Sequence, residues 1–585
     1  MTRHLSRLNA EPRFPIPSPA AKVPAAPRWS EVGPHFISPG EGMGERRRRL
    51  PFIRTKPPRG VRARVLLGVA AGLGVWLGIA GHAARAYDPA TTNAGLTERA
   101  VVASTLHEVL AHRLGRTLGL FESLSLGPVA GATAAPRSDA DTHAPATVER
   151  RLLWGRLLAL DPAAGYRPLD DGSATALSWV MAGSVIAKTP PERLQNLFFD
   201  PSTKMGLRDA SALDDLGHGL CLAADSGGLR AMATGTAFSF EGLSALDWLE
   251  SPTNDLGLPV LFSSLEQAVA APERADREAA LVRGLLSLGG VLTVLEDMGN
   301  PAQVRNDFRA AYLRGGSGSP FDRASAYEQA VADRYGVIGV PGPKAVVRRP
   351  TWKEYFSGAD GQGLADRTQR RFFSDGTVPE DAPIDRDTST LDVLGAVRQS
   401  LTYALPGVPR LDLRPLGQVQ YVLAPDDAPG APPRALLAYQ RVPGRVRFFL
   451  DQRVYGDTAR VVLPEIAGYA AGLVDHLFRA RIGLHVSGGR VQARVGSADG
   501  GGTRAPRGEV RLLAEDAGGR RREIGRIPVG PGQGSDGMGG PGTEDVGVAV
   551  PADARRVVAF LRGDDGAGPV VAFAVLAWPQ PVRGP

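Results

Sequence analysis

A chain of 585 residues, 43% hydrophobic and 22% charged, carries enough apolar surface to bury more than one core. With 72 Gly, 48 Pro and the lone Cys221, it excludes a fold stapled by internal disulfides and points to one rich in loops. The formal charge of +7 does not mark a nucleic-acid binder: residues 1–64 hold 14 Lys and Arg against 4 Asp and Glu, a local +10, which leaves the rest near −3 with no basic face for a phosphate backbone.

Residues 1–64 read as a basic, Pro-rich, disordered leader without helical periodicity, and Met43 is an alternative start to Met1. Residues 65–86 read as a signal peptide core or a membrane anchor. RRRR at 46–49 and Arg54, Lys56, Arg59, Arg62 and Arg64 precede VLLGVAAGLGVWLGIA (65–80), and Ala84-Arg85-Ala86 follows. That order is the order of a secretory signal, with cleavage expected before Tyr87. Left uncut, residues 65–80 would hold the chain in a membrane. The positive flank keeps the N-terminus cytoplasmic either way, so the body is expected outside: secreted, periplasmic or membrane-anchored.

Residues 87–483 are expected to form one large multi-helix domain. LTERAVVASTLHEVLAHRLGRTLGL (96–120), ATVERRLLWGRLLAL (146–160), SATALSWVMAGSVIA (173–187), the long run from Ser264 to Met298 and AYEQAVADRYG (326–336) all repeat apolar residues every three or four positions. Asn93 or Thr97 is placed to cap the first, and Gly299-Asn300-Pro301 to stop the fourth. GATAAPRSDADTHAPAT (131–147) reads as a solvated linker. The period shortens around VQYVLAP (419–425) and from Arg434 to Val454, then returns to helix over 462–482.

After Gly483 the character changes. LHVSGGRVQARV, GEVRLLAED, VGVAV, RRVVAFLRG and PVVAFAVLAW are short runs with β-branched residues between Gly-rich turns, which predicts a small antiparallel β-sandwich over 484–585. The expected fold is therefore mainly α, with the sandwich docking a partner or covering a hydrophobic edge.

Five stretches carry a resemblance: TNAGLTERAV (92–101), SVIAKTPPERLQNLFFDPSTKMGL (184–207), LGGVLTVLEDMGNPAQVRNDF (288–308), GLADRTQRRFFSDGTVP (363–379) and LPEIAGYAAGLVDHLFRARI (463–482). In this order they resemble the zinc-dependent phospholipase C and single-strand nuclease superfamily, in particular its large exported bacterial members. The resemblance implies a phospholipase C-like helical domain with a cleft where His, Asp and Glu hold zinc ions that activate water against a phosphodiester.

The same resemblance shows the ligands to be missing. Asn93 stands where the family has a His in Thr-His-x-x-Leu-Thr, Ala187-Lys188 stands for a Glu-Asp pair, and Leu197-Phe198 for a His-Phe. On the apolar helix, Thr293 takes the place of a His while its partner four residues on, Asp297, survives; Gln303 replaces the His after the Pro. Leucine has no lone pair to donate, lysine is a cation at a cation site, and Thr, Gln and Asn are weak neutral ligands. The degenerate positions Asn93, Lys188, Leu197, Thr293, Asp297 and Gln303 therefore predict no catalytic residue, no metal and no cofactor.

Nor do the histidines rebuild a site. His107 and His112 are five apart, about 140° around a helix. His107 lies 14 residues beyond Asn93, about 21 Å along a continuous helix. His143 falls in the linker, and His476 and His485 near the sandwich junction. His218, Asp307 and Glu328 stay as candidates for relocated ligands, in which case zinc would be bound and a residual metal-dependent phosphodiesterase expected. Asp297, left buried without a metal, needs a counter-charge, because an unpaired buried charge costs on the order of 3 to 5 kcal/mol. Lys188 is expected to supply it, with Arg305 and Asp307 as a competing pair that orders the helix exit. The leading expectation is an exported, non-catalytic protein with a binding or structural role in the cell envelope, partnered by an envelope protein or lipid surface and not by nucleic acid.

Overall fold

The computed structural model describes residues 89–127, 145–189, 191–209, 240–307, 325–335, 339–387, 389–392, 410–425, 432–497, 506–529 and 547–578. The leader, the 65–86 segment, Tyr87, His143, His218 and Cys221 lie outside the described residues.

Helices α1 (Ala94–Ala103), α2 (Pro145–Leu158), α3 (Ala176–Ile186), α4 (Leu258–Ala270), α5 (Arg274–Asp297), α6 (Ala326–Tyr335), α7 (Leu364–Arg371) and α8 (Gln452–Leu477) build the larger part. Helix α5 is the hub. It is long and apolar enough to cross a membrane by composition, yet it is the core helix here, with every residue from Gly284 to Asp297 buried. An apolar face all round has nothing to turn toward water, so it is enclosed by its neighbours.

Two expected helices are shorter than their periodicity. The run from Leu96 breaks after Ala103, because the Ser104 hydroxyl bonds the Val101 carbonyl while Asp475 of α8 accepts from both the amide and the hydroxyl of Thr105. The run from Ser264 divides into α4 and α5 at Ala271-Pro272, where Ala271 is extended as a residue before proline must be (φ −61°, ψ 135°). Arg277, one turn into α5, then gathers the carbonyls of Ala271 and Pro272.

Helix α8, conversely, starts ten residues before the expected Val462 and continues through Pro464. Its start is fixed by Asp451, whose Oδ1 accepts from the amides of Arg453 and Val454 at 3.1 and 3.0 Å and whose Oδ2 accepts from the Tyr421 hydroxyl at 2.8 Å. Asp451→Ala is expected to cost about 1 to 2 kcal/mol, readable as a lowered denaturant midpoint at unchanged slope.

The fold is a mixed helix and sheet one, which corrects the expectation of a mainly α chain ending in a sandwich. Strands β1 (Val419–Ala424), β2 (Arg434–Val442) and β3 (Arg445–Phe449) form an antiparallel sheet in the order β3-β2-β1, with the short strand Ala382–Pro383 beyond β3. This sheet lies between α7 and α8 in the chain, inside the region expected to be helical.

Beyond α8, β4 (Ala480–Ser487), β5 (Arg490–Ser497), β6 (Arg507–Asp516), β7 (Arg521–Val529), β8 (Val548–Ala549), β9 (Ala554–Asp564) and β10 (Pro569–Ala577) make two further antiparallel sheets, β4-β5-β8 and β7-β6-β9-β10. Strand alternation sends Val557, Ala559, Leu561, Val570 and Ala572 toward the β4-β5-β8 sheet. Their neighbours Val558, Phe560, Val571 and Phe573 join the helical core instead. The larger sheet is thus buried on both faces along β9 and β10, which is why RRVVAFLRG and PVVAFAVLAW read as continuous apolar runs. Arg511 with Glu266 of α4, at 2.5 Å, and Arg277 with the Gly519 carbonyl, at 2.7 Å, add polar ties across that contact.

Candidate functional site

The most unusual chemistry of the described residues lies inside the helical core, where α1, α3, α5 and α6 bring ionisable groups together out of reach of water. Asn93 at the start of α1, Lys188 just past α3, and Glu296, Asp297 and Glu328 on α5 and α6 are each at most 1% exposed. Burying these groups demands that each be hydrogen-bonded or neutralised.

Lys188 does much of that. Its Nζ lies 2.8 Å from Asp297 Oδ1, the convergence expected from the sequence, and donates to Asn93 Oδ1 at 3.0 Å. With Asn93 Oδ1 turned to the ammonium, Nδ2 faces the other way and donates to Glu296 Oε2 at 2.9 Å; the Thr97 hydroxyl donates to Glu296 Oε1 at 2.7 Å. Asn93 and Thr97, expected as helix caps, therefore make no cap bond and serve this centre. Below it, Asn300 caps the turn after α5 through Oδ1 and donates from Nδ2 to Glu328 Oε1 at 2.6 Å, while the Ser325 amide donates to Glu328 Oε2 at 2.7 Å.

Burial pushes the Glu296 and Glu328 carboxyls up to about 8, against the positive charge of Lys188, which is the first opposing influence at Glu328, and against hydrogen bonds that favour their ionised forms. Burial also raises Asp297, to about 6, but there Lys188 pulls back through both its charge and its hydrogen bond. At neutral pH the centre thus holds Lys188 paired with an ionised Asp297, and two carboxyls that keep most of their protons.

The other expected positions are less central. Thr293, one turn before Asp297, donates to the Ser184 carbonyl at 2.9 Å and pins α5 to α3. Leu197 is buried at the end of a short helical turn, and two residues on the Phe199 amide donates to the Gln303 carbonyl, so these two segments are neighbours. Of the candidates for relocated ligands, Glu328 belongs to the centre. Asp307 is held elsewhere, accepting from the Gly376 amide at 2.7 Å, and Arg305 donates to the carbonyls of Phe372 and Gln369. These contacts tie the exit from α5 to the end of α7 and the segment after it. His107, expected on a helix continuous with Asn93, sits past the break at Ser104 and packs against Phe121.

These residues do not fit a zinc ion. The ammonium of Lys188 holds the position between Asn93 and Asp297 that a cation would take. Sequence reasoning missed Glu296 altogether. An acidic residue beside Asp297 on an apolar helix was the available signal, since a Glu in such a run is buried and needs partners.

No protein-family model matches the chain, and no curated protein does. Among solved structures, the alpha toxin from Clostridium absonum is a weak neighbour, at 9% identity and a TM-score of 0.24 over 83% of this chain and 94% of that one.

Proposed function

We propose that this chain is an exported, non-catalytic relative of the zinc phospholipase C and single-strand nuclease enzymes, in which a phospholipase C-like helical part and a C-terminal β-sandwich serve a binding or structural role in the cell envelope, toward an envelope protein or a lipid surface. The observation that carries the reading is the Lys188 ammonium 2.8 Å from Asp297, an internal positive charge where hydrolysis would need a metal and an activated water. The burial of the whole centre supports it further, because a substrate phosphate has no route to groups that are at most 1% exposed. The basic leader, the apolar run at 65–80 and Ala84-Arg85-Ala86 support export.

The test is elemental analysis of the exported chain after dialysis against zinc and removal of loosely held metal, with a phosphodiester screen in parallel. Zinc well below one equivalent and no hydrolysis are expected. Stoichiometric zinc with turnover would instead establish a residual phosphodiesterase, with His218, Asp307 and Glu328 as the first residues to mutate. The mass of the exported product is expected to correspond to a chain starting at Tyr87.

A further inference from the structure

The disagreement between this centre and a metal goes further than the loss of ligands. One ammonium binds three helices: Lys188 extends from the end of α3, where its amide donates to the Val185 carbonyl, to Asp297 on α5, and it fixes the Asn93 amide of α1 so that this amide can reach Glu296. Asp297 Oδ2 accepts no hydrogen bond from the described residues, so the ammonium is the main compensation for that charge. The pair is enclosed, with side-chain exposures of 2% and 0%.

We infer that the centre is still a cation site, and that its cation is the chain's own: Lys188 is a covalently tethered ammonium that performs the structural work of a bound metal, holding α1, α3 and α5 in register. The inference rests on the non-catalytic reading above. It has a consequence that simple core packing does not. Lys188→Ala removes three methylenes and an ammonium, the equivalent of n-propylammonium, and leaves a cavity with a carboxylate at its end. Enclosed cavities in folded proteins do admit small molecules of matching shape, and a ligand that binds only the folded state raises stability in proportion to its saturation.

The experiment is the thermal unfolding of K188A in the full exported chain, titrated with n-propylammonium chloride, with 1-propanol and sodium chloride as controls. The expected result is a melting point lowered by the substitution and recovered saturably by propylammonium alone, with no effect of propylammonium on the wild type. K188M fills the space without charge and is expected to melt low and stay low. Should K188A not fold, a cycle decides: K188M/D297N, which removes both charges, is expected to be more stable than K188M, because no orphan carboxylate is left behind. Stability of K188M equal to the wild type, or a double variant that loses the sum of the two single losses, overturns the inference. The zinc content of the wild type is read separately. Retained zinc sinks the non-catalytic reading, whereas absence of rescue in a zinc-free protein sinks the tethered cation alone.

Discussion

Gly289→Ala is expected to cost on the order of 3 kcal/mol or more, although glycine to alanine inside a helix ordinarily adds up to about 1 kcal/mol of stability. The reversal comes from the α3–α5 contact, where two helices meet backbone to backbone. A Cβ on Gly289 would lie 2.0 Å from the Val180 carbonyl oxygen and 2.6 Å from the Ser184 amide, and one on Gly183 would lie 2.1 Å from the Leu286 carbonyl oxygen. None of those atoms belongs to a side chain that could swing away, so α3 and α5 must separate. Separation pulls Lys188 from Asp297 and Thr293 from Ser184, and the polar centre loses its compensation together with the core. Gly155 in α2 is the control: it is exposed, a Cβ there meets nothing within 4 Å, and Gly155→Ala is expected to stabilise by about 0.5 to 1 kcal/mol. Chemical denaturation of both variants checks the pair. Equal and favourable shifts would contradict the close approach.

The second large effect is a loss of stability as the solution turns alkaline. Glu296 and Glu328 are raised by burial from 4.5 to about 8, so the folded chain holds more protons than the unfolded one between those values, and stability falls with rising pH until the folded groups have titrated. Two other buried groups act lower down. Asp297, raised to about 6, adds to the fall below that pH, whereas His476, lowered to about 4 from 6.5 mainly by burial, works in the opposite sense between those values. From pH 6.5 to 8 the two glutamates dominate among these groups, and a loss on the order of 3 kcal/mol is expected across that interval. Glu296→Gln should remove about half of it, since the Gln amide can donate to the Thr97 hydroxyl, which turns to accept, while its carbonyl keeps the bond from Asn93. Melting temperatures of the wild type and E296Q at pH 6.5, 7.25 and 8 test this, and identical slopes would rule Glu296 out as a source.

Much of the helical part is legible in the sequence, and for a local reason. Residues 176–186 and 326–335 form helices within a few positions of their apolar periodicity, and Asn300-Pro301 ends the long core helix where its side-chain cap and ring geometry require. One error passed over a local signal, Pro272, which divides the run from Ser264; another comes where a distant residue competes with the local pattern. Asp475 captures Thr105 and ends α1, whereas the sheet of β1 to β3 falls where the period shortens in the sequence.

The candidate centre divides in the same way. The resemblance singled out Asn93, Lys188, Leu197, Thr293 and Gln303, and their residue types were enough for the expectation that they would hold zinc poorly, because donor chemistry depends on the side chain. They also determined that a buried Asp297 would need a positive partner, since the cost of an uncompensated charge exceeds what a folded chain can spare. Only the tertiary structure decided that Glu296 and Glu328 join that pair, that Asp307 does not, and that the amide of Asn93 turns toward Lys188 and away from capping its own helix. Those outcomes depend on how closely α3 and α5 approach, on the 203 residues that separate Asn93 from Glu296, and on the loss of water around all of them. No window of neighbouring residues contains that information, because the energy of a buried charge is set by whatever the rest of the fold brings against it.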